Sequence, residues 1–377
     1  MSTASTQRFN LTNMAFLLGT LAIALAGTPW YVVTRGLGWP EALTFCALWL
    51  AVGISVTAGY HRLFAHKSYQ AVWPVRLFFL VFGAGALEDA IVDWAADHRV
   101  HHSHVDHDRD PYNIQKGFWW AHIGWIFVRY EPHPDTVVRD LLGDPLVRWQ
   151  RRWYKVLAVA VAAGIPLAVG IATGRVLGCL LIGGVLRVVA SHHTTFFINS
   201  FCHLIGRQPY SRGHSARDSA VMAVLAFGEG YHNYHHSFPF DYRNGIRGWQ
   251  FDPAKWTIYA LSRLGLARDL RRASDTAILK ARIEVQFEAA QEKMERAIGE
   301  VRASCEARLH DAYRALQSAL RELTALQRRP AAAAGHPGEP PEARLGLVHG
   351  TLEQALREWQ KTLRQMNRLV AGASAPG

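Results

Sequence analysis

Cysteine is scarce: Cys46, Cys179, Cys202 and Cys305 are the only four in 377 residues, and no two stand at Cys-x-x-Cys spacing. That excludes a disulfide framework, a zinc ribbon and an iron–sulfur ligand set. A glycine-rich phosphate-binding fingerprint is missing too, as is a haem domain, so any electrons the protein uses come from outside the chain. No basic nucleic-acid motif accompanies the net charge of +11, so nucleic acid is not an expected partner. The charge suits a protein resting on an anionic leaflet, or receiving an anionic substrate or donor. Charge is nearly absent from four stretches, Met14 to Val33, Leu43 to Ala58, Val156 to Thr173 and Val176 to Leu186. With its flanks, each reaches about the ~20 residues that a bilayer-spanning helix needs. Spans are therefore expected at about residues 12–33, 41–60, 154–173 and 176–200. The first does not read as a cleaved signal peptide, because only Arg8 precedes it and a second apolar run follows at once. Lysine and arginine crowd the segment between the second and third spans, while the two short connections carry Arg35 and Arg175 alone. Both termini and the histidine-rich segment are accordingly expected in the cytoplasm.

What the sequence does have is histidine, 19 in all. In DHRVHHSHVDHDRDPYN, His98, His101 and His102 stand at i, i+3 and i+4, so on a helix their imidazoles share a face and can point at one small volume. That is metal-ligand geometry. The spacing recurs at His232, His235 and His236 in EGYHNYHH, and composition alone explains such a repeat poorly. His61 and His66 in HRLFAH close the second span. Five residues set two rings about 140° apart on an ideal helix, so a local break around 62–65 is predicted if both serve one site. Asn199 and His203 in NSFCH form an i, i+4 pair at the cytoplasmic end of the fourth span. The nine imidazoles of His61, His66, His98, His101, His102, His203, His232, His235 and His236 exceed what one ion takes. Two metal ions are the economical reading. Imidazole suits zinc, copper, nickel or iron, so spacing does not choose among them. A site at the bilayer edge, fed from an apolar bundle, suits a lipid substrate and a redox metal that activates O2.

Other features are weaker. Asp89, Asp93 and Asp97 recur every four residues into His98, and either receive ligand N–H groups or form a solvated stripe. His104 and His107 lie in turn chemistry before Pro111 and stay outside the metal set. Ala71 to Trp94 is apolar but interrupted by Pro74, Arg76, Glu88 and Asp89, which suits helices packed under a cytoplasmic cap better than a fifth span. The aromatic stretch Gly117 to Tyr130 should lie along the membrane interface. Arg187, His192 and His193 within the fourth span are costly unless they face protein or a cavity. From Leu279 to Leu323 the apolar residues are spaced 4, 4, 3, an eleven-residue repeat that predicts one amphipathic, coiled-coil-like helix over 274–329. A Pro/Ala/Gly linker over 330–345 and an amphipathic helix over 346–371 follow. The expected fold is an all-α integral membrane protein, with a membrane domain over 1–273 and a cytoplasmic helical cap that holds a histidine-rich dimetal site.

In order and spacing, HRLFAH, HRVHH, NSFCH and HNYHH resemble the membrane-bound fatty acyl desaturases of the stearoyl-CoA Δ9 type, over about residues 12–260. The resemblance implies a diiron centre that uses O2 and two electrons to remove two hydrogens from an unactivated acyl chain. It implies that the nine histidines are iron ligands, that Asn199 holds an iron-bound water, and that Asp97, Arg129 and Phe196 contact substrate. It also implies acyl-CoA as substrate, an external donor such as ferredoxin, rubredoxin or a cytochrome, and, in a bacterial-like member, the inner membrane. Animal members carry basic residues where this chain has Ala96 and Tyr130, so acyl carrier protein or phospholipid stays open as the acyl carrier. A diiron lipid or alkane hydroxylase, and a metal-binding membrane protein without catalysis, are the rival readings. The helical tail lies outside the family pattern and is expected to mediate self-association or to dock the redox partner.

Overall fold

The computed structural model describes residues 9–129, 132–295, 300–328 and 341–373. Two compact units are present, one of residues 1–208 with 213–272 and one of 209–212 with 273–377.

The first unit is a membrane domain built on four helices long and apolar enough to span a bilayer, Leu11–Arg35, Trp39–Ala65, Pro145–Thr173 and Val176–His203. Leu25 and Val33 on the first are 69% and 85% exposed, as side chains facing lipid are. The third helix starts earlier than hydropathy suggests. Asp144 caps it, accepting the Leu146 N–H at 3.0 Å, so the basic run Arg148 to Lys155 forms the helix's own first turns.

The second helix holds the main surprise. Its last stretch, Ser55–Ala65, is π-helical and wholly buried, and the His66 N–H donates to the His61 carbonyl at 3.0 Å. Bonding from i to i+5 stacks the fifth residue over the first, which brings both rings to one face without interrupting the helix. The break predicted around 62–65 does not occur. Helix Trp73–Ala84 crosses this segment on two glycines. A Cβ on Gly59 would sit 2.5 Å from the Phe79 Cβ, and one on Gly83 2.3 Å from the Tyr60 ring, so neither position accepts a side chain in place. At 12 residues, or about 18 Å, that helix is too short to span, and it packs against the second and third spans. The chain then turns through Leu87 and Asp89, both left-handed at φ 60° and 75°, into helix Ile91–His104. Arg187 donates to the Gly85 carbonyl at 2.7 Å and His192 bonds the Ala86 carbonyl at 2.8 Å, so these intramembrane polar groups brace that turn. The Gly117 to Tyr130 stretch forms only short turns of helix, Phe118–His122 and Gly124–Phe127, with Trp119 exposed; Tyr130 lies outside the described residues.

The second unit departs from expectation. Its helices are Asp275–Glu295, Glu300–Arg328 and Pro341–Ala373. Phe287 stacks on Tyr313 with ring centroids 4.0 Å apart, whereas one continuous helix would hold them about 39 Å apart. The first two helices therefore run antiparallel, and the single helix expected over 274–329 is a pair. Trp359 donates to Gln286 at 2.9 Å and Lys293 to Asn367 at 3.0 Å, so the third helix runs parallel to the first. The eleven-residue stripe is buried within the chain, with Ile283, Leu309, Leu316 and Leu320 packed against Val348, Leu352 and Trp359. A periodic stripe specifies which face is buried, not what covers it. Of the expected linker over 330–345, residues 341–345 open the third helix, with Pro341 at the first position where its missing N–H is harmless; 330–340 lie outside the described residues.

Candidate metal centre

Four segments deliver the imidazoles: the π-helical end of the second span, helix Ile91–His104, the end of the fourth span, and the short helix His232–Ser237. The last is held on a rigid base. Asn233 donates to the Ala216 carbonyl at 2.9 Å, Tyr234 O–H to Asp241 at 2.6 Å, and a Cβ at Gly230 would meet the Ala223 nitrogen at 2.0 Å.

The nine rings converge, but not box by box. His61, His66, His98, His102 and His235 form one cluster, and His101, His203, His232 and His236 the other, with the ligand atoms of each within 4.8 Å of one another. Each His-x-x-His-His triplet thus gives its i, i+4 pair to one cluster and its middle histidine to the other. The single small volume that the spacing suggested for each triplet is in fact two.

The distances test whether metal ions fit. In the five-ring cluster the Nε2 atoms of His66 and His98 are 2.8 Å apart, those of His61 and His235 3.0 Å, and those of His235 and His102 3.0 Å. In the four-ring cluster the corresponding distances are 3.3 Å for His101 and His236, 3.1 Å for His232 and His203, and 3.1 Å for His236 and His232. Two nitrogens held ~2.1 Å from one ion lie ~3.0 Å apart at a right angle and ~3.4 Å apart at the tetrahedral angle. Nitrogens at these spacings can share one ion. Burial, reinforced by neighbouring imidazoles, holds His66, His98, His102, His232, His235 and His236 well below the ordinary histidine range. They are neutral at physiological pH, which is the form that ligates. The residues fit a pair of metal ions.

The far-side nitrogens have partners that sequence reasoning missed. His61 Nδ1 lies 3.1 Å from the Glu229 carboxylate, His101 Nδ1 2.8 Å from Asp110, and His203 Nδ1 2.7 Å from the Ser215 hydroxyl. Glu229 is also bound by Arg62, a fully buried cation shared with Asp252. Such partners fix ring orientation and tautomer. The carboxylates that sequence put forward for this task do something else: Asp93 pairs with Arg151, Asp97 with His133, and Asp89 is exposed. Their four-residue period places them on turns preceding His98, while the groups that reach the rings come from loops, where no periodicity marks them. His104 and His107 stand outside both clusters.

A cavity of ≈ 530 Å³ opens onto the rings of His61, His98, His101 and His232, a volume in the range of small-molecule sites. Phe16, Leu17, Val56, Trp94 and Ile198 supply apolar wall, and Asp97, Arg129, Phe196 and Asn199 all line it. Arg129 is exposed and Phe196 only 3% exposed, so the cavity runs from the surface into the bundle. Behind it a space of ≈ 20 Å³, which shares Val56, Glu88 and Thr195 with the larger cavity, ends at Trp49, Gly53 and Phe227. Phe227 is left-handed at φ 51°, and a Cβ on Gly53 would lie 2.6 Å from its ring. Burial pushes the Glu88 carboxyl up to about 8, so the wall is uncharged there at neutral pH.

The family model for fatty acid desaturases matches residues 37–268, and the chain belongs to that family. It is 40% identical over 287 residues to acyl-CoA desaturase 1 of Saccharomyces cerevisiae, covering 74% of this chain and 55% of that one. A probable acyl-CoA desaturase of Schizosaccharomyces pombe is 43% identical over 244 residues, with 64% and 51% covered. Stearoyl-CoA desaturase 5 of Homo sapiens is 40% identical over 243 residues, with 62% and 72% covered. The chain spans about half the length of the two yeast relatives.

Proposed function

We propose that this protein is an O2-dependent acyl desaturase that inserts a double bond at the Δ9 position of a saturated fatty acyl chain carried by CoA. One –CH2–CH2– unit, O2, two protons and two electrons give –CH=CH– and two waters. The carrying observation is the meeting of two imidazole clusters with a deep cavity, walled in part by apolar side chains, in a membrane domain. Two irons, when bound, would supply O2 activation. His61, His66, His98, His102 and His235 would hold one, and His101, His203, His232 and His236 the other, with Asn199 beside them through a water. The other residues bind, orient and exclude. Trp94, Val56 and Phe196 confine the chain, and the buried wall keeps bulk water from the reacting carbons. Asp97 and Arg129 would receive the head group at the open end. Arg129 is the one lysine or arginine among the described residues that line the cavity, so CoA phosphates meet little charge there, and acyl carrier protein or phospholipid is the second choice of carrier.

Electrons would come from an external ferredoxin, rubredoxin or cytochrome. The C-terminal bundle is the candidate dock for that donor, since its apolar stripe is occupied within the chain and leaves little for self-association. Both termini and the clusters would face the cytoplasm, in a bacterial inner membrane, as the basic segment between the second and third spans favours. The test is to supply purified, iron-loaded protein with a reducing system and labelled stearoyl groups on CoA, on acyl carrier protein and in phospholipid, and to locate any new double bond by mass spectrometry. An alcohol product would favour a hydroxylase. Iron-loaded protein that transforms none of the three would overturn the assignment.

A further inference from the structure

The turn that follows helix Ile91–His104 serves the four-ring cluster twice. Asp110 bonds His101 Nδ1 directly at 2.8 Å. Asp106, left-handed at φ 66°, reaches the loop before the last histidine box and accepts both donors of one serine. The Ser215 N–H lies 2.6 Å from Asp106 Oδ2 and the Ser215 hydroxyl 2.5 Å from Oδ1. The same hydroxyl oxygen lies 2.7 Å from His203 Nδ1. A serine hydroxyl has a single proton and two lone pairs. With that proton committed to Asp106, the oxygen can only accept from His203, so Nδ1 carries the ring proton. Nε2, 3.1 Å from His232 Nε2, is then left bare to ligate. Released from Asp106, the hydroxyl can donate to Nδ1 instead and stabilise the opposite tautomer, whose protonated Nε2 cannot bind a metal. Asp110 presents no such ambiguity to His101, because an ionised carboxylate only accepts.

We propose that Asp106 is a positioning residue that sets the tautomer of His203 through Ser215, and with it the metal affinity of the four-ring cluster. This rests on reading the clusters as metal sites. The test uses full-length protein in detergent, reconstituted with ferrous iron, with iron per chain measured by mass spectrometry and the two iron environments by Mössbauer spectroscopy. Asp106→Asn offers an N–H to Ser215 and frees the serine proton for His203. It should weaken one of the two irons about 10- to 100-fold, the usual effect of removing a partner behind a metal ligand, and leave the other in place. Ser215→Ala should cost less. Adding Ser215→Ala to Asp106→Asn should restore binding toward the Ser215→Ala level, because the hydroxyl that stabilises the wrong tautomer has gone. Asp106→Ala frees the same hydroxyl and should give the same ordering. A double variant no better than the worse single would mean that Asp106 merely tethers the loop, and would overturn the proposal. So would Asp106→Asn holding both irons with wild-type affinity. Wild-type protein that takes up no iron would instead overturn the metal reading itself, whatever the variants do.

Discussion

Replacing Glu229 by glutamine probes the network behind the five-ring cluster with almost no change of volume. The carboxylate, 2% exposed, accepts from Arg62 at 3.0 Å through Oε1, and through Oε2 from Asn244 at 2.6 Å and lies 3.1 Å from His61 Nδ1. Glutamine has one acceptor oxygen and one N–H2 group, so in either orientation the amide nitrogen faces a donor. A hydrogen bond to a charged group contributes about 1.5–3 kcal/mol, and Arg62 keeps Asp252 at 2.9 Å. The expected loss is therefore about 2–3 kcal/mol, against about 3–5 kcal/mol for Glu229→Ala, which strands the buried cation more fully. At about 2–4 °C per kcal/mol for a domain of this size, the unfolding midpoint of Glu229→Gln in detergent should fall by about 5–10 °C. Iron affinity at the five-ring cluster should fall about 10- to 100-fold.

The pH dependence supplies a sign. Burial pushes the Glu229 carboxyl up, but His61 and Arg62 together pull it below the ordinary range. A group lowered in this way contributes stability that is present above its unfolded value of about 4.3 and lost as pH falls through the folded value. The difference between wild type and variant should stay level from about pH 8 to pH 6 and shrink only below about 4.3. Equal midpoints and equal iron content would refute the reasoning, as would a difference that disappears near pH 6.5, where histidine titrates.

Three further outcomes are expected. His98→Ala and His235→Ala should each abolish turnover and lower iron per chain, whereas His107→Ala, at an exposed position outside both clusters, should leave both within about twofold of wild type; full activity in either of the first two would count against their role as ligands. Phe227→Gly removes the ring that closes the deep cavity and relieves its left-handed backbone, so product analysis across chain lengths should show longer acyl groups accepted, and an unchanged profile would mean that the chain does not reach that end. Truncation after Ala273 should leave iron content intact, because every imidazole of the two clusters lies before it, and should slow turnover with the native donor but not with a small chemical reductant. Equal slowing with both would argue against a docking role.

The spans were legible because a bilayer demands long uncharged runs, and Met14 to Val33 or Val156 to Thr173 has no other ready explanation. Six of the nine clustered rings were legible because helical spacing puts i, i+3 and i+4 side by side. The division of each triplet between two clusters was not, since it depends on how the short helix at His232 meets the one at His98 across more than a hundred residues. The widening of the second span was hidden as well: HRLFAH contains no proline or other breaker, and the π segment packs against Phe79 and Gly83 of a helix that comes later in the chain. Asp106, Asp110 and Ser215 sit in turns whose composition says only that the chain bends. The C-terminal repeat predicted one rod and forms a pair of helices, and its stripe is covered by a helix that begins beyond a segment of low sequence information.

The crosswise sharing of the histidine triplets bears on biogenesis. Neither cluster has its full complement until His232, His235 and His236 have left the ribosome and docked against parts made much earlier. A nascent chain stalled with only its first hairpin inserted can present five of the rings, from His61 to His102, and those belong to two different sets. Four of those five belong to one cluster, which then lacks only His235, whereas the four-ring cluster has His101 alone until the second hairpin and the loops after it are in place.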